Sequence, residues 1–308
     1  MRLDVPVPPL PDRVNFWLDR PDLPWARRWD GLTAVVADLS TLVRTGPGSR
    51  RVVEQVVELL VAGTARHRAH RAALCELVDR VLDLHAVACG VDPPSPAELA
   101  DWLLHVQTGF TEPPEVRLAP YAAALGPTGL ARYRAEAVAR FSTLPVIGFG
   151  RTGRYDRERW ALLRVVEELA EHVGDVDLQV LVLARDLSSG WHYLQVATVL
   201  REAGRTEDAL EWVGRGLRAT GGRGAAGRLV DLAVDECLRL GWRERAVRWR
   251  RRAFLAWPSV ETFDRLRALV SGSGGWAALR ADVLAQARRD GDPAVVDELL
   301  ARLSEHDL

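Results

Sequence analysis

Gly148, Gly150 and Gly153 spell GxGxxG after the apolar pair Val146 and Ile147, and a helical pattern follows them. In a dinucleotide-binding fold such glycines let the backbone approach a pyrophosphate at a helix N-terminus, and an acid ~20 residues on holds the ribose. Asp175 and Asp177 stand at about that separation. The chemistry requires a strand before the loop and a parallel sheet to carry it. Pro145 interrupts the short apolar run, and no other segment alternates with a period of two. The 148–153 stretch therefore reads as a plain loop, with a nucleotide-dependent enzyme built on it as the second alternative.

Other groupings carry less. Ser188, Ser189 and His192 lie together in DLSSGWH, but no GxSxG elbow is present and no carboxylate is placed by a signature. Asp186 to Gly190 reads as the end of one hairpin and the cap of the next. His67 and His70 share a helix face with Arg66, Arg68 and Arg71, whose charges oppose a bound cation, so this is expected to be a solvated basic face. His85 and Cys89 stand at i and i+4, side by side on a helix, yet two ligands make no site and packing is the better reading. Cys75, Cys89 and Cys237 are isolated, with none of the close pairing of a zinc site or a disulfide framework. No catalytic residue, metal ligand or cofactor is expected.

Arginine is the most abundant chemistry. All 41 basic residues are arginines, against 42 acids, so no global field draws the chain to nucleic acid or to an anionic membrane. The densest run is Arg243 to Arg252. On a helix, Arg245, Arg248 and Arg252 form one stripe while Ala246, Trp249, Ala253 and Phe254 form the buried one. That stripe could track phosphates with Trp242 or Trp249 stacking a base, which makes a nucleic-acid accessory module the first alternative. The acids Glu244 and Glu261 dilute its field.

The elements positioning these groups are helical throughout. Hydrophobic content is 48%, normal for a folded chain. Residues 1–31, rich in Pro and with Trp17, Trp25 and Trp29, read as an irregular arm packed on the body. From Leu32 the apolar positions recur at helical spacing: Ala34, Val35, Leu39 and Leu42, then Val52, Val53, Val56, Leu59 and Leu60 after the GPGS break, then Leu74 to Leu84. Ser95-Pro96-Ala97-Glu98 is a capping box with proline at the first helical position. A further helix spans Thr128 to Phe141, and 156–188 reads as a hairpin punctuated by Gly174. GGRGAAG (221–227) reads as a slack connector. Ser259 to Arg289 forms another hairpin turning at SGSGG, and Asp292-Pro293 opens a terminal capping helix.

The most informative stretch, Trp191 to Pro258, carries one pattern twice. WHYLQVATVLREAGRTEDALEWVGRGLRAT and GRLVDLAVDECLRLGWRERAVRWRRRAFLAWP align on Gly204 and Gly241, which also pairs Leu200 with Cys237, Ala209 with Ala246 and Leu217 with Phe254, each 37 residues apart. That period belongs to helical repeat arrays. The stretch resembles the tetratricopeptide repeat through Tyr193, Val196, Ala197, Gly204, Ala209, Val213 and Leu217 in the first copy. In the second it does so through Ala233, Gly241, Ala246, Ala253, Phe254 and Pro258. It departs at Gly216, where the family has alanine, and at Arg250, where it has an aromatic. A wider likeness, through residues 82–103 and 172–212, is to the helical region downstream of SWIM-type zinc fingers in bacterial proteins, without the CxC and CxH elements of the finger.

These resemblances imply an all-α fold, an α-solenoid of helical hairpins coiled as a right-handed superhelix. Residues 32–150 would form a helical bundle or the start of the solenoid, and 151–308 the repeats with their capping helix. By the family's pattern the concave face presents Trp191, Gln195, Thr198 and Arg201 from one copy and Arg228, Asp231, Asp235 and Arg239 from the next. The function implied is a non-enzymatic protein-interaction scaffold, with arginines clamping carboxylates of a peptide or protein segment and Trp191 as apolar anchor. No apolar run approaches a membrane span and the first residues do not read as a secretory signal, so a cytoplasmic protein is expected.

Overall fold

The computed structural model describes residues 8–153, 156–271, 275–290, 296–298 and 300–301. The chain is all-helical, and among the described residues there is no strand beyond an isolated parallel bridge between Ile147 and Asp186. It divides into two compact units, Met1–Leu144 with Tyr155–Asp175, and Pro145–Arg154 with Val176–Leu308.

The first unit contains α1 (Leu10–Leu18), α2 (Trp25–Thr45), α3 (Ser49–Arg66), α4 (Arg71–Val91), α5 (Pro96–Thr108), α6 (Ala122–Ser142) and α7 (Arg157–Val173). α3 packs on α4, α5 on α6, and α6 on α7. The described residues of the stretch expected to be an irregular arm are mostly helical. Pro9 and Pro24 precede α1 and α2 as proline can at a helix start, and Val14 and Leu18 are buried. A β-carbon on Gly31 would lie 2.1 Å from Trp17 Cε2, so the indole lies directly on the α2 backbone. Arg28, 7% exposed, donates to the carbonyls of Trp17 and Leu18 at 2.9 and 2.5 Å, satisfying the open C-terminal end of α1 with a cation.

Ser95 and Glu98 form the expected capping box on α5. α6 breaks at Gly126 (φ 53°), just before Pro127, so the helix that runs through Thr128 to Phe141 is preceded by a turn of its own. Asp156 accepts from the backbone of Glu158 and Arg159 at the start of α7, and Gly174 (φ 64°) ends that helix. The expected 156–188 hairpin is divided, because α7 belongs to the first unit and the helix after Gly174 to the second.

The second unit contains α8 (Val176–Leu183), α9 (Gly190–Glu202), α10 (Thr206–Thr220), α11 (Ala226–Arg239), α12 (Arg243–Ala256), α13 (Val260–Val270) and α14 (Trp276–Asp290). α9 with α10 and α11 with α12 form hairpins across short turns, α10 packs on α11, and α9 also meets α11. Tyr193, Ala197, Val213, Leu229, Ala233, Ala246 and Ala253 close one core, and Phe254, Phe263, Leu266, Val283 and Val296 another. Each large apolar side chain so buried contributes about 1.5–3 kcal/mol. The small ones let the helix axes approach.

The 221–227 connector is not slack. Trp257 Nε1 donates to the Gly221 carbonyl at 3.3 Å, and a β-carbon on Gly222 (φ 85°) would overlap the Trp257 ring. Gly272 to Gly274 of the SGSGG turn, and Asp292 and Pro293 of the terminal cap, lie outside the described residues.

Candidate functional site

α9 and α11, which carry the eight residues of the expected binding face, pack against each other, and the direct contact among those eight is Arg228 over Trp191. Ser189 sits at the N-terminus of α9, where its backbone N–H donates to His192 Nδ1 at 3.3 Å. Asp186 Oδ1, Ser188 Oγ and Ser189 Oγ all crowd the same ring nitrogen, at 3.5, 3.4 and 3.3 Å. A hydrolytic relay needs carboxylate and hydroxyl on opposite nitrogens. This arrangement orders the entry to α9, and it places Trp191 on the outer face.

At one end of that face Trp191 is 47% exposed, with the Arg228 guanidinium 5.3 Å from its ring centroid. Gln195 is exposed and Thr198 half-buried along the same edge. At the other end stand Arg201 and Arg239, on either side of Glu236. Arg239 donates to Glu236 through Nε at 2.8 Å and a terminal nitrogen at 2.6 Å, and Thr206 Oγ1 donates to it at 2.6 Å. Glu236 is 1% exposed. The Arg239 hydrogen bonds outweigh the penalty of burial and, with Thr206 and the charge of Arg201, hold the carboxyl down at about 2.

Not every expected clamp is free. Arg239 is committed to Glu236, and Asp231 is held by Arg250 at 2.6 Å and by Arg265 at 3.1 Å. Arg201 has a loose partner in Glu202 at 3.8 Å, while Arg228 and Asp235 have no ion pair among the described residues. Glu236, Arg250 and Arg265 hold residues of that face although the repeat pattern does not single them out. The signal for Glu236 is a lone carboxylate among Ala233, Val234 and Cys237 on the apolar side of α11.

On α12, Arg245 makes a two-pronged ion pair with Glu207 at 2.6 and 2.7 Å and lies 5.2 Å from the Trp242 ring centroid. Arg252 covers Trp249 at 5.7 Å, and Arg248 is exposed. The stripe is thus broken at its first member by a carboxylate.

In the 148–153 loop, Ile147 N–H donates to the Arg185 carbonyl at 2.9 Å and Gly150 N–H to that of Ser188 at 3.0 Å. These amides serve the backbone of their own unit rather than an open anion cradle, and the first amides of α7 are taken by Asp156. His70 stacks on Trp25 at 3.9 Å, and His67 lies 3.4 Å from Arg28, so these histidines are half-buried instead of solvated. Burial, then the Arg28 charge, pushes the His67 pKa down. His85 and Cys89 are fully buried, with Cys89 Sγ 3.6 Å from His85 Nε2 and Glu54 3.5 Å from that same nitrogen. Among the described residues no group of three or more His, Cys, Asp or Glu side chains could hold a metal ion, and no helix is long and apolar enough to cross a membrane. No protein-family model, curated protein or solved structure matches the chain.

Proposed function

We propose that the second unit is a tetratricopeptide-like scaffold, akin to the helical region downstream of SWIM-type zinc fingers, that binds a protein segment on the face of α9 and α11. In this reading the hairpins α9–α10 and α11–α12 are successive repeats of a right-handed α-solenoid in a cytoplasmic, non-enzymatic protein. Gly204 (φ 75°) and Gly241 (φ 77°) at the two turns support it. So do the fully buried Ala197, Ala209, Ala233 and Ala246, where close helix approach requires small residues. Both departures from the family pattern have local reasons. A β-carbon on Gly216 would fall 2.8 Å from Tyr193 Cβ, and Arg250 fills its aromatic slot by reaching Asp231.

The observation that carries the reading is Trp191, left half-exposed under Arg228 on the same face as Arg201. A rigid indole beside the Arg228 guanidinium, with Arg201 held only loosely by Glu202 at 3.8 Å, suits an apolar side chain flanked by carboxylates. The test is a peptide-array selection followed by fluorescence anisotropy on the recovered sequences. Selected peptides should place Asp or Glu beside an apolar residue, and the Trp191→Ala/Arg228→Ala variant should weaken them about tenfold or more at an unchanged melting temperature. A selection with no acidic–apolar consensus, or one indifferent to that variant, overturns the reading. Arg239 is unsuitable as a probe because its removal strands the buried Glu236.

A further inference from the structure

α1 ends in two residues that each sit in a glycine notch. The Trp17 indole lies on α2, where a β-carbon on Gly31 would come within 2.1 Å of it, and Leu18 lies on α3, where a β-carbon on Gly63 would meet both of its methyl groups at 3.2 Å. Leu18 is wholly buried. The carbonyls of the same two residues accept from Arg28, through Nε at 2.9 Å and a terminal nitrogen at 2.5 Å. One guanidinium therefore holds the backbone end of α1 while the two glycines receive its side chains.

Arg28 is a buried cation with no ion pair among the described residues. Asp22, which feels its charge, is forked by Arg20 at 2.8 and 2.7 Å, and Asp19 is bridged to Arg66 at 2.8 Å. What Arg28 meets instead is ring faces: the Trp25 centroid at 5.2 Å, and both nitrogens of His67 at 3.4 and 3.5 Å. Nearly equal distances set its terminal nitrogen over the imidazole face, because a bond to one in-plane lone pair would leave the other nitrogen much farther away. A neutral ring tolerates the guanidinium there. An imidazolium would put a second positive charge 3.4 Å from it, with the neighbouring carboxylates already engaged.

We infer that α1 is an acid-released latch, opened when His67 takes up a proton and drives Arg28 from the Trp17 and Leu18 carbonyls. The charged and titratable groups that face His67 are Arg28 from α2, Arg66 on its own helix, Asp19 just after α1 and His70 in the turn before α4. Among them Asp19 alone favours a proton on the ring, and Arg66 already holds it. His70 is occupied by its stack on Trp25 at 3.9 Å. Burial first, then the Arg28 charge, sets the His67 pKa below its ordinary 6.5, so the latched state takes up protons less readily than the released one. A base with a lowered pKa stabilises the fold fully above its unfolded value, and that contribution is lost as pH falls through 6.5 towards the folded one. This lies well above the range in which Glu236 of the second unit titrates.

The test is hydrogen exchange read by mass spectrometry on the full chain, at about pH 7.5 and about pH 5.5 and corrected for intrinsic exchange, comparing peptides of α1 with peptides of α5. Protection of α1 should fall about threefold or more on acidification, within the roughly tenfold per pH unit that one proton allows, while α5 holds. The α1 response should be lost in His67→Gln, and in His67→Phe, which keeps an untitratable ring beneath the guanidinium. It should persist in His70→Gln. An α1 response that is absent from the wild type, retained in either His67 variant, abolished by His70→Gln, or matched by an equal loss in α5 overturns the proposal.

Discussion

Glu236 and Arg239, one turn apart on α11, form a two-pronged ion pair whose acid is 1% exposed while its base faces solvent. The pair fixes an arginine that would otherwise be a free clamp, and it makes the face of α9 and α11 sensitive to acid. The folded carboxyl sits at about 2, against 4.5 for a free glutamate. A depressed carboxylate pKa contributes stability that is present above the unfolded value and is lost as pH falls towards the folded one. Helicity of the chain should therefore weaken between about pH 4.5 and pH 2 partly through this residue. Circular dichroism melts across that window should show a flatter dependence for Glu236→Gln than for the wild type. An identical dependence would remove Glu236 from the acid response.

Gly216→Ala pits two effects against each other. Alanine gains about 0.5–1 kcal/mol over glycine inside a helix. The new methyl would meet Tyr193 Cβ at 2.8 Å and Leu229 Cδ1 at 2.9 Å, and the first of these cannot swing away. Overpacking of that kind costs about 1–3 kcal/mol. A net loss of stability is expected in urea denaturation, and a gain would mean that α9, α10 and α11 pack more loosely than these distances imply.

Arg28→Lys tests the seam between α1 and α2. Lysine keeps the charge but cannot reach the Trp17 and Leu18 carbonyls with a planar fork. The loss of one charged hydrogen bond should cost about 1.5–3 kcal/mol. Urea denaturation of the variant reads it directly, and a change below about half a kcal/mol, the effect of an ordinary surface substitution, would show the second bond to be dispensable.

Thiol reactivity should separate the three cysteines. Cys75 is exposed, whereas Cys89 and Cys237 are buried. Burial pushes the Cys89 thiol up to about 12 and raises Cys237 as well, so neither supplies thiolate at neutral pH. Iodoacetamide followed by intact-mass analysis should add one adduct to the native chain and three after denaturation. Rapid native labelling at Cys89 would contradict its burial.

Local signals make most helices legible in the amino-acid sequence. Ser95-Pro96-Glu98, Gly174, Gly204 and Gly241 mark ends because capping and left-handed φ are decided within a few residues. The 3.6-residue apolar period places Trp191, Gln195, Arg228 and Asp235 outward on α9 and α11 for the same reason. The proline-rich start reads as irregular although its described residues are largely helical, because prolines that break a helix interior also begin helices. Nothing local distinguishes a proline before Trp25 from one in a loop.

Beyond the proline-rich start, the sequence by itself determined most of the helical segments and which side of each turns inward, since both follow from neighbours within one or two turns. Only the tertiary structure decided which arginines are free. With arginine as the chain's one strong base, Arg228 and Arg250 look alike in the sequence, and what separates them is Asp231, brought to Arg250 by the packing of α11 on α12. The Arg28 guanidinium over His67 is of the same kind. Each residue is plain in the sequence, but the two act on each other only where folding sets α2 beside the end of α3, because Coulomb energy depends on distance through space and not along the chain.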